Sequence, residues 1–273
     1  MPTSEAAGAS TPSHLYGAYV FDIDGTICLG ESLLPTVTRT IDRLRTLGRR
    51  TLFLSNNTTR SAAGYGAQLT ARGIQTHASE VVNAAQVLIA FLERELPGGT
   101  LHVIGESALI EDLLGAGFRI SSRVEEIDAV IASFDRGFTY AKLQIAFDAL
   151  RRGARFFATN ADRYRPTAGG GEPDAAAMIA AIEACSGVRC EVVVGKPSQL
   201  TVAYLRERIG LPLGECLMVG DRLETDIRMA NEAGMASALV LTGATSETMV
   251  NRSSMQPTYL LRNLLEVLPA RYR

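Results

Sequence analysis

Lysine is almost missing from this chain of 273 residues: only Lys142 and Lys196 occur, and outside three histidines every other cationic side chain is Arg. Arg therefore serves as the default positive charge. A lysine that persists against that bias marks a candidate site for a compact ammonium rather than a planar fork; composition does not say which of the two it is. Cysteine is scarce as well. Cys28, Cys185, Cys190 and Cys216 form no CxxC pair and have no histidine at zinc-ligand spacing, which argues for reduced thiols. His14, His77 and His102 fall outside every motif described below. Net charge is only −2, so neither nucleic acid nor an anionic membrane is expected as a partner. No apolar run is long enough to cross a bilayer. Residues 1–15 are small and polar, without the basic start and apolar centre of a secretion signal, and are expected to form a disordered tail. Reduced thiols and the missing signal predict a cytoplasmic protein.

What the chain does have is a 47% apolar fraction with few aromatics, which suits a sizeable aliphatic core. Short apolar runs alternate with helical periodicity nearly throughout, and this predicts an α/β fold with a doubly wound parallel sheet. Strands are expected at 18–21, 51–54, 101–104, 129–134, 155–158, 192–194, 216–219 and 236–241. The window 35–47 has Pro35 at its start, Val37, Ile41, Leu44 and Leu47 on one face, and Gly48 as a stop, the signature of an amphipathic helix. Windows 139–150 and 198–209 read the same way. Chemically loaded strand ends occur only before Asn57 and after Gly195. The expected division is therefore a core domain over 16–83 plus 182–273, with an inserted α/β domain over 84–181.

Four segments carry the chemistry. In Phe21-Asp22-Ile23-Asp24-Gly25-Thr26 two acids sit two residues apart at the end of an apolar run, so both point into one crevice. Carboxylates that close repel, and a hard divalent cation is the natural compensator; two solvated acids at a strand end are the plainer alternative. Ser55-Asn56-Asn57 offers a hydroxyl, amides and backbone N–H groups that suit a phosphate oxygen, although it is also ordinary cap and turn chemistry. Gly195-Lys196-Pro197 places one of the two lysines after a strand, with the proline expected to open the next helix. Gly220-Asp221-Arg222-Leu223-Glu224-Thr225-Asp226 supplies acids from a further strand, Asp226 doubling as a candidate first-turn helix acid. Asp22, Ser55, Lys196 and Asp221 each fall just past a predicted strand. In one open parallel sheet such ends share an edge, where ligands bind.

In this order, DxDGT, a Ser-containing segment, a lone Lys and GDxxxxD resemble the four-motif pattern of the haloacid dehalogenase superfamily. The strings LSNN (54–57), SFDRGFTYAKL (133–143), ATNAD (158–162), VVGKPS (193–198), MVGDRLETDI (218–227) and LTGAT (241–245) make the chain similar to its class IIA phosphatases with a type-two cap. The resemblance implies a Rossmann-like core with an inserted cap, and magnesium-dependent hydrolysis of a small phosphorylated metabolite through an aspartyl-phosphate, a sugar phosphate being mildly preferred. It implies Asp22 as nucleophile and Asp24 as general acid and base. It implies a magnesium ion held by Asp22, the Asp24 carbonyl and Asp221, with Asp226 behind it. Thr26, Ser55, Asn56, Asn57 and Lys196 would hold the phosphoryl group. Arg165, on the loop after the ATN string, would either grip a carboxylate or hydroxyl of the leaving group or stand as a solvated surface arginine, and a homodimer is allowed. Members often show Pro-Gly-x-Gly where this chain has Pro173-Asp174-Ala175-Ala176, with Asp174 expected to cap a helix. Asp135 and Arg136 are expected to shape a turn, and Lys142 to face water. The rival readings are a phosphotransferase acting on an alcohol and a non-catalytic binding protein on the same scaffold.

Overall fold

The computed structural model describes residues 11–167 and 170–273; of the tail expected over 1–15, residues 1–10 lie outside the described residues. In chain order the elements are β1 (Ala18–Asp22), β2 (Cys28–Leu29), β3 (Ser32–Leu33), α1 (Val37–Thr46), β4 (Arg50–Ser55), α2 (Ala62–Ala71), β5 (Val81–Asn83), α3 (Ala84–Glu95), β6 (Thr100–Ile104), α4 (Ser107–Gly115), β7 (Arg119–Ile120), β8 (Ala129–Ala132), α5 (Tyr140–Arg151), β9 (Arg155–Ala158), β10 (Tyr164–Thr167), β11 (Gly170–Pro173), α6 (Ala175–Ser186), β12 (Val192–Val193), α7 (Gln199–Ile209), β13 (Cys216–Gly220), α8 (Arg228–Glu232), β14 (Ala236–Val240), α9 (Glu247–Arg252) and β15 (Tyr259–Leu261). The architecture is α/β with Rossmann-like parallel sheets. No helix among the described residues is long and apolar enough to cross a membrane.

Two sheets organise the chain. The six-stranded sheet runs β15-β14-β13-β1-β4-β5, with β1 parallel to both β13 and β4. Its inner strands β1 (AYVFD) and β13 (CLMVG) are buried at every residue, as continuous apolar runs in a sheet covered on both faces should be. The five-stranded sheet runs β12-β9-β8-β6-β7 and is parallel at each pairing. Helix α1 forms for the expected reason. Val37, Thr40, Ile41 and Leu44 make one buried stripe, Arg43 and Arg45 sit in the last turn, and Gly48 takes a left-handed φ of 69° just beyond it.

Contacts divide the chain into two compact units, one of 1–54, 66–81 and 202–273, the other of 55–65 and 82–201. The second is wider than the insert read from the sequence. Its core gathers Ile104, Val130, Ala132, Phe156 and Ile182, while Leu223, Ile227, Leu239, Val250 and Leu260 cluster in the first.

One strand departs from expectation. The motif pattern places the run 192–194 in one sheet with the other strands that end at the motifs, yet β12 pairs with β9 at the edge of the five-stranded sheet. The cause lies one residue upstream. The Glu191 carboxylate accepts from the Phe156 N–H at 3.1 Å and pairs with Arg155 at 3.0 Å, and Glu191 N–H donates to Phe156 O at 2.8 Å. These contacts set β12 alongside β9, and a two-residue apolar strand carries too little pattern to oppose them.

Candidate active site

Asp22 ends β1 and Asp221 directly follows β13, and the parallel register (Phe21 with Val219) brings both to the same edge of the sheet. Asp226 arrives by a wide turn. Leu223–Ile227 is π-helical, its Ile227 N–H donating to Arg222 O five residues back at 3.2 Å. The turn returns Asp226 over Gly220, where any Cβ would overlap its carboxyl, and Asp226 Oδ2 accepts from the Arg222 N–H at 3.1 Å. One carboxylate oxygen each from Asp22, Asp221 and Asp226 lie within 4.8 Å of one another, and all three residues are buried.

Glycines leave room for this cluster. A Cβ at Gly25 or at Gly243 would overlap the Asp221 carboxylate. Gly25 also has φ 97°, a conformation that side chains resist. Ala244 N–H donates to Asp221 Oδ2 at 2.6 Å and the Thr242 hydroxyl donates to Gly25 O at 2.8 Å, so the segment after β14 braces Asp221 and the Gly25 turn together. Carboxylates gathered this closely repel one another, and a cation between them would relieve that repulsion. An all-oxygen donor set suits a hard divalent cation such as magnesium, and lacks the sulfur and imidazole that softer metals favour.

Asp24 is half-buried on the following turn and bridges to Cys28. Burial pushes the Cys28 thiol up despite the Arg72 N–H that reaches its sulfur at 3.3 Å, which keeps it a protonated thiol. The Thr26 hydroxyl is buried and has no hydrogen-bond partner among the described residues. Such a group carries a desolvation cost of ~1–3 kcal/mol unless an oxygen ligand meets it.

The remaining phosphate-binding candidates belong to the second unit. Lys196 is only 4% exposed, and α7 begins at Gln199, so Pro197 precedes the helix instead of opening it. Asn56 holds the lysine's backbone: Lys196 N–H donates to Asn56 Oδ1 at 2.8 Å, and Asn56 Nδ2 donates to Lys196 O at 3.2 Å. Asn56 Nδ2 also reaches Asp162 Oδ2 at 3.2 Å. Fully buried Asn160 donates to Asn56 O at 3.2 Å and accepts from Asp162 N–H at 2.9 Å. Beneath it, the Ser133 hydroxyl lies 2.7 Å from Thr58 Oγ1 and 2.7 Å from Thr159 Oγ1. Ser55 Oγ accepts from Asn57 N–H at 3.1 Å and Asn57 Oδ1 from Thr59 N–H at 2.8 Å, which fixes the turn after β4.

Sequence reasoning missed Asn160, Thr159 and Ser133 as parts of this network. The available signal was that the strings ATN and SFD begin where β9 and β8 end. It also set Lys142 in water, whereas Lys142 Nζ pairs with buried Asp135 at 2.6 Å. Asp174 does cap α6, its Oδ1 accepting from Ala175 N–H at 2.6 Å. Arg165 lies on β10, paired with Glu172 at 2.7 Å.

Two family models match the chain, a haloacid dehalogenase-like hydrolase model over residues 19–119 and a HAD-hydrolase-like model over 193–267. The sugar-phosphatase AraL of Bacillus subtilis is 36% identical over 96% of this chain and 95% of its own length. The 4-nitrophenylphosphatase of Thermotoga maritima superposes with a TM-score of 0.88 at 31% identity, covering 92% of this chain and 96% of that one. The glycerol phosphate phosphatase of Mycobacterium tuberculosis, solved in complex with magnesium, gives 0.86 at 30% identity over 95% and 78%. The chain therefore belongs to the haloacid dehalogenase-like hydrolases, in the class IIA group that holds these phosphatases.

Proposed function

We propose that this phosphoric monoester hydrolase acts on a small phosphorylated metabolite through an aspartyl-phosphate formed on Asp22. The observation that carries the reading is the buried acid cluster at the ends of adjacent strands β1 and β13, roofed by Gly25 and Gly243. An Asp22 carboxylate oxygen attacks phosphorus while Asp24 protonates the departing ester oxygen, releasing an alcohol. Water then attacks the aspartyl-phosphate with Asp24, now ionised, taking its proton. This regenerates Asp22 and frees inorganic phosphate. A magnesium ion held by Asp22, the Asp24 carbonyl and Asp221, with Asp226 behind it, would supply charge neutralisation for the transferring group. Lys196, Ser55, Thr26 and the Asn56–Asn57 backbone would orient the phosphoryl oxygens, since positioning and charge stabilisation carry most of such a barrier. The 84–181 insert is the proposed specificity domain. Four free thiols suit the cytoplasm as location.

The test is hydrolysis of 4-nitrophenyl phosphate by the purified chain with magnesium and with a chelator, beside Asp22→Asn. Metal-dependent phosphate release, lost in the variant, is expected. Undiminished turnover by Asp22→Asn would place the nucleophile elsewhere.

A further inference from the structure

The hairpin β10–β11 puts Arg165 opposite Glu172, and their side chains meet at 2.7 Å. The Arg165 guanidinium also lies 5.3 Å from the centroid of the buried Phe134 ring. A second guanidinium, that of Arg136, lies 5.5 Å from the same centroid. Two of its N–H donors grip the Glu106 carboxylate at 2.6 and 2.8 Å. Hydrogen bonding from Arg136, with help from the charge of Arg165, holds the Glu106 carboxyl below the usual range, so it stays ionised near neutrality. Two cations and two anions thus gather about one aromatic ring, and their charges cancel.

Short stretches of chain join this cluster to the phosphate-holding candidates of its own unit. The residues leading into β10 are Asn160 and Asp162, both hydrogen-bonded to Asn56, which in turn holds Lys196. Phe134 follows Ser133, the hydroxyl shared by Thr58 and Thr159. Any group that reaches Arg165 on this hairpin therefore meets it already paired with Glu172.

We propose that Glu172 is a specificity-determining residue: by neutralising Arg165 on Phe134 it suits the leaving-group subsite to an uncharged, hydroxyl-bearing group and turns away a carboxylate. The proposal rests on the phosphomonoester reading above. A carboxylate approaching Arg165 adds a third negative charge to a balanced cluster and must compete with a pair already formed. A sugar hydroxyl faces no such conflict, because it donates to a carboxylate while accepting from a guanidinium.

The experiment compares kcat/KM for ribose 5-phosphate and phosphoglycolate in the wild type, Glu172→Gln and Arg165→Gln. 4-Nitrophenyl phosphate serves in the wild type as the reporter of the chemical step. The quantity read is the phosphoglycolate-to-ribose-phosphate ratio, which cancels any loss common to both esters. The wild type is expected to favour the sugar ester. Glu172→Gln is expected to raise the ratio about tenfold, equivalent to ~1.4 kcal/mol. Arg165→Gln, which leaves Glu172 without its partner, is expected to lower it. A wild type preferring phosphoglycolate, or a ratio unmoved in Glu172→Gln, overturns the proposal while hydrolysis of the nitrophenyl ester keeps the phosphatase reading standing. A folded wild type that cleaves none of the three esters overturns both.

Discussion

At the scale of single residues, the site depends as much on side chains that are absent as on those present. Asp221 is fully buried, with Ala244 N–H on one oxygen and two glycines against its carboxylate. Gly243 can be tested without the complication of a left-handed backbone, since its φ lies outside that region. Gly243→Ala drives a methyl into the Asp221 carboxylate, which must move or force the 242–244 segment away. Overpacking of this kind usually costs ~1–3 kcal/mol. The expectation is a chain that still melts cooperatively while kcat for 4-nitrophenyl phosphate falls by more than about tenfold, the effect of ~1.4 kcal/mol on a barrier. Activity within twofold of wild type (about 0.4 kcal/mol) would mean that Asp221 tolerates displacement. Asp22 and Asp221, which meet in the buried acid cluster, could be singled out in the sequence because residue type and spacing are themselves the signal. It could not show Gly243 as a neighbour of Asp221, since nothing local in an LTGAT string says which carboxylate it will lie against.

At the scale of elements, regular pieces were the legible ones. The apolar runs of β1, β4, β9, β13 and β14 and the stripe of α1 announce themselves by period and length. Short and irregular pieces did not. The π-helical turn that returns Asp226 to the cluster has no periodic signature, and β12 took its sheet from the contacts of Glu191. The buried polar residues of the five-stranded sheet were equally silent. His102 on β6 is 5% exposed, with Nε2 3.1 Å from Lys142 O and Nδ1 3.4 Å from Ser121 O. Burial, reinforced by the Lys142 charge, pushes its pKa below the usual value although both carbonyls pull the other way. The unfolded chain therefore takes up this proton first as pH falls. The stabilisation from neutral His102 is fully present above the ordinary histidine pKa of about 6.5 and is lost as pH drops through the folded value. Urea unfolding midpoints should fall from pH 7.5 to pH 5.5 by more in the wild type than in His102→Gln. Equal slopes would show that other groups carry the pH dependence.

At the scale of the whole molecule, the α/β class and the order of the motifs could be read from one end of the chain to the other, because both are linear properties. Membership of compact units could not, since it depends on which surfaces pack: residues 55–65 and 182–201 fall in the second unit, beyond the insert boundaries that motif placement suggested. Global stability offers a test of the metal reading that needs no turnover. Buried carboxylates within 4.8 Å repel in the folded chain far more than in an unfolded one, so folding and cation binding should be linked. A ligand that binds only the native state stabilises it by mass action, by about 2.7 kcal/mol at a hundredfold excess over Kd. Magnesium should therefore raise the melting temperature of the wild type above its value in chelator. Asp221→Asn removes one charge from the cluster while its amide oxygen can still accept from Ala244 N–H. In chelator this variant should melt at or above the wild type, because repulsion is relieved, and magnesium should shift it little. The order of the two proteins then reverses when magnesium is added. An equal magnesium shift in both would place the cation away from Asp221 and remove the charge argument on which the proposed chemistry stands.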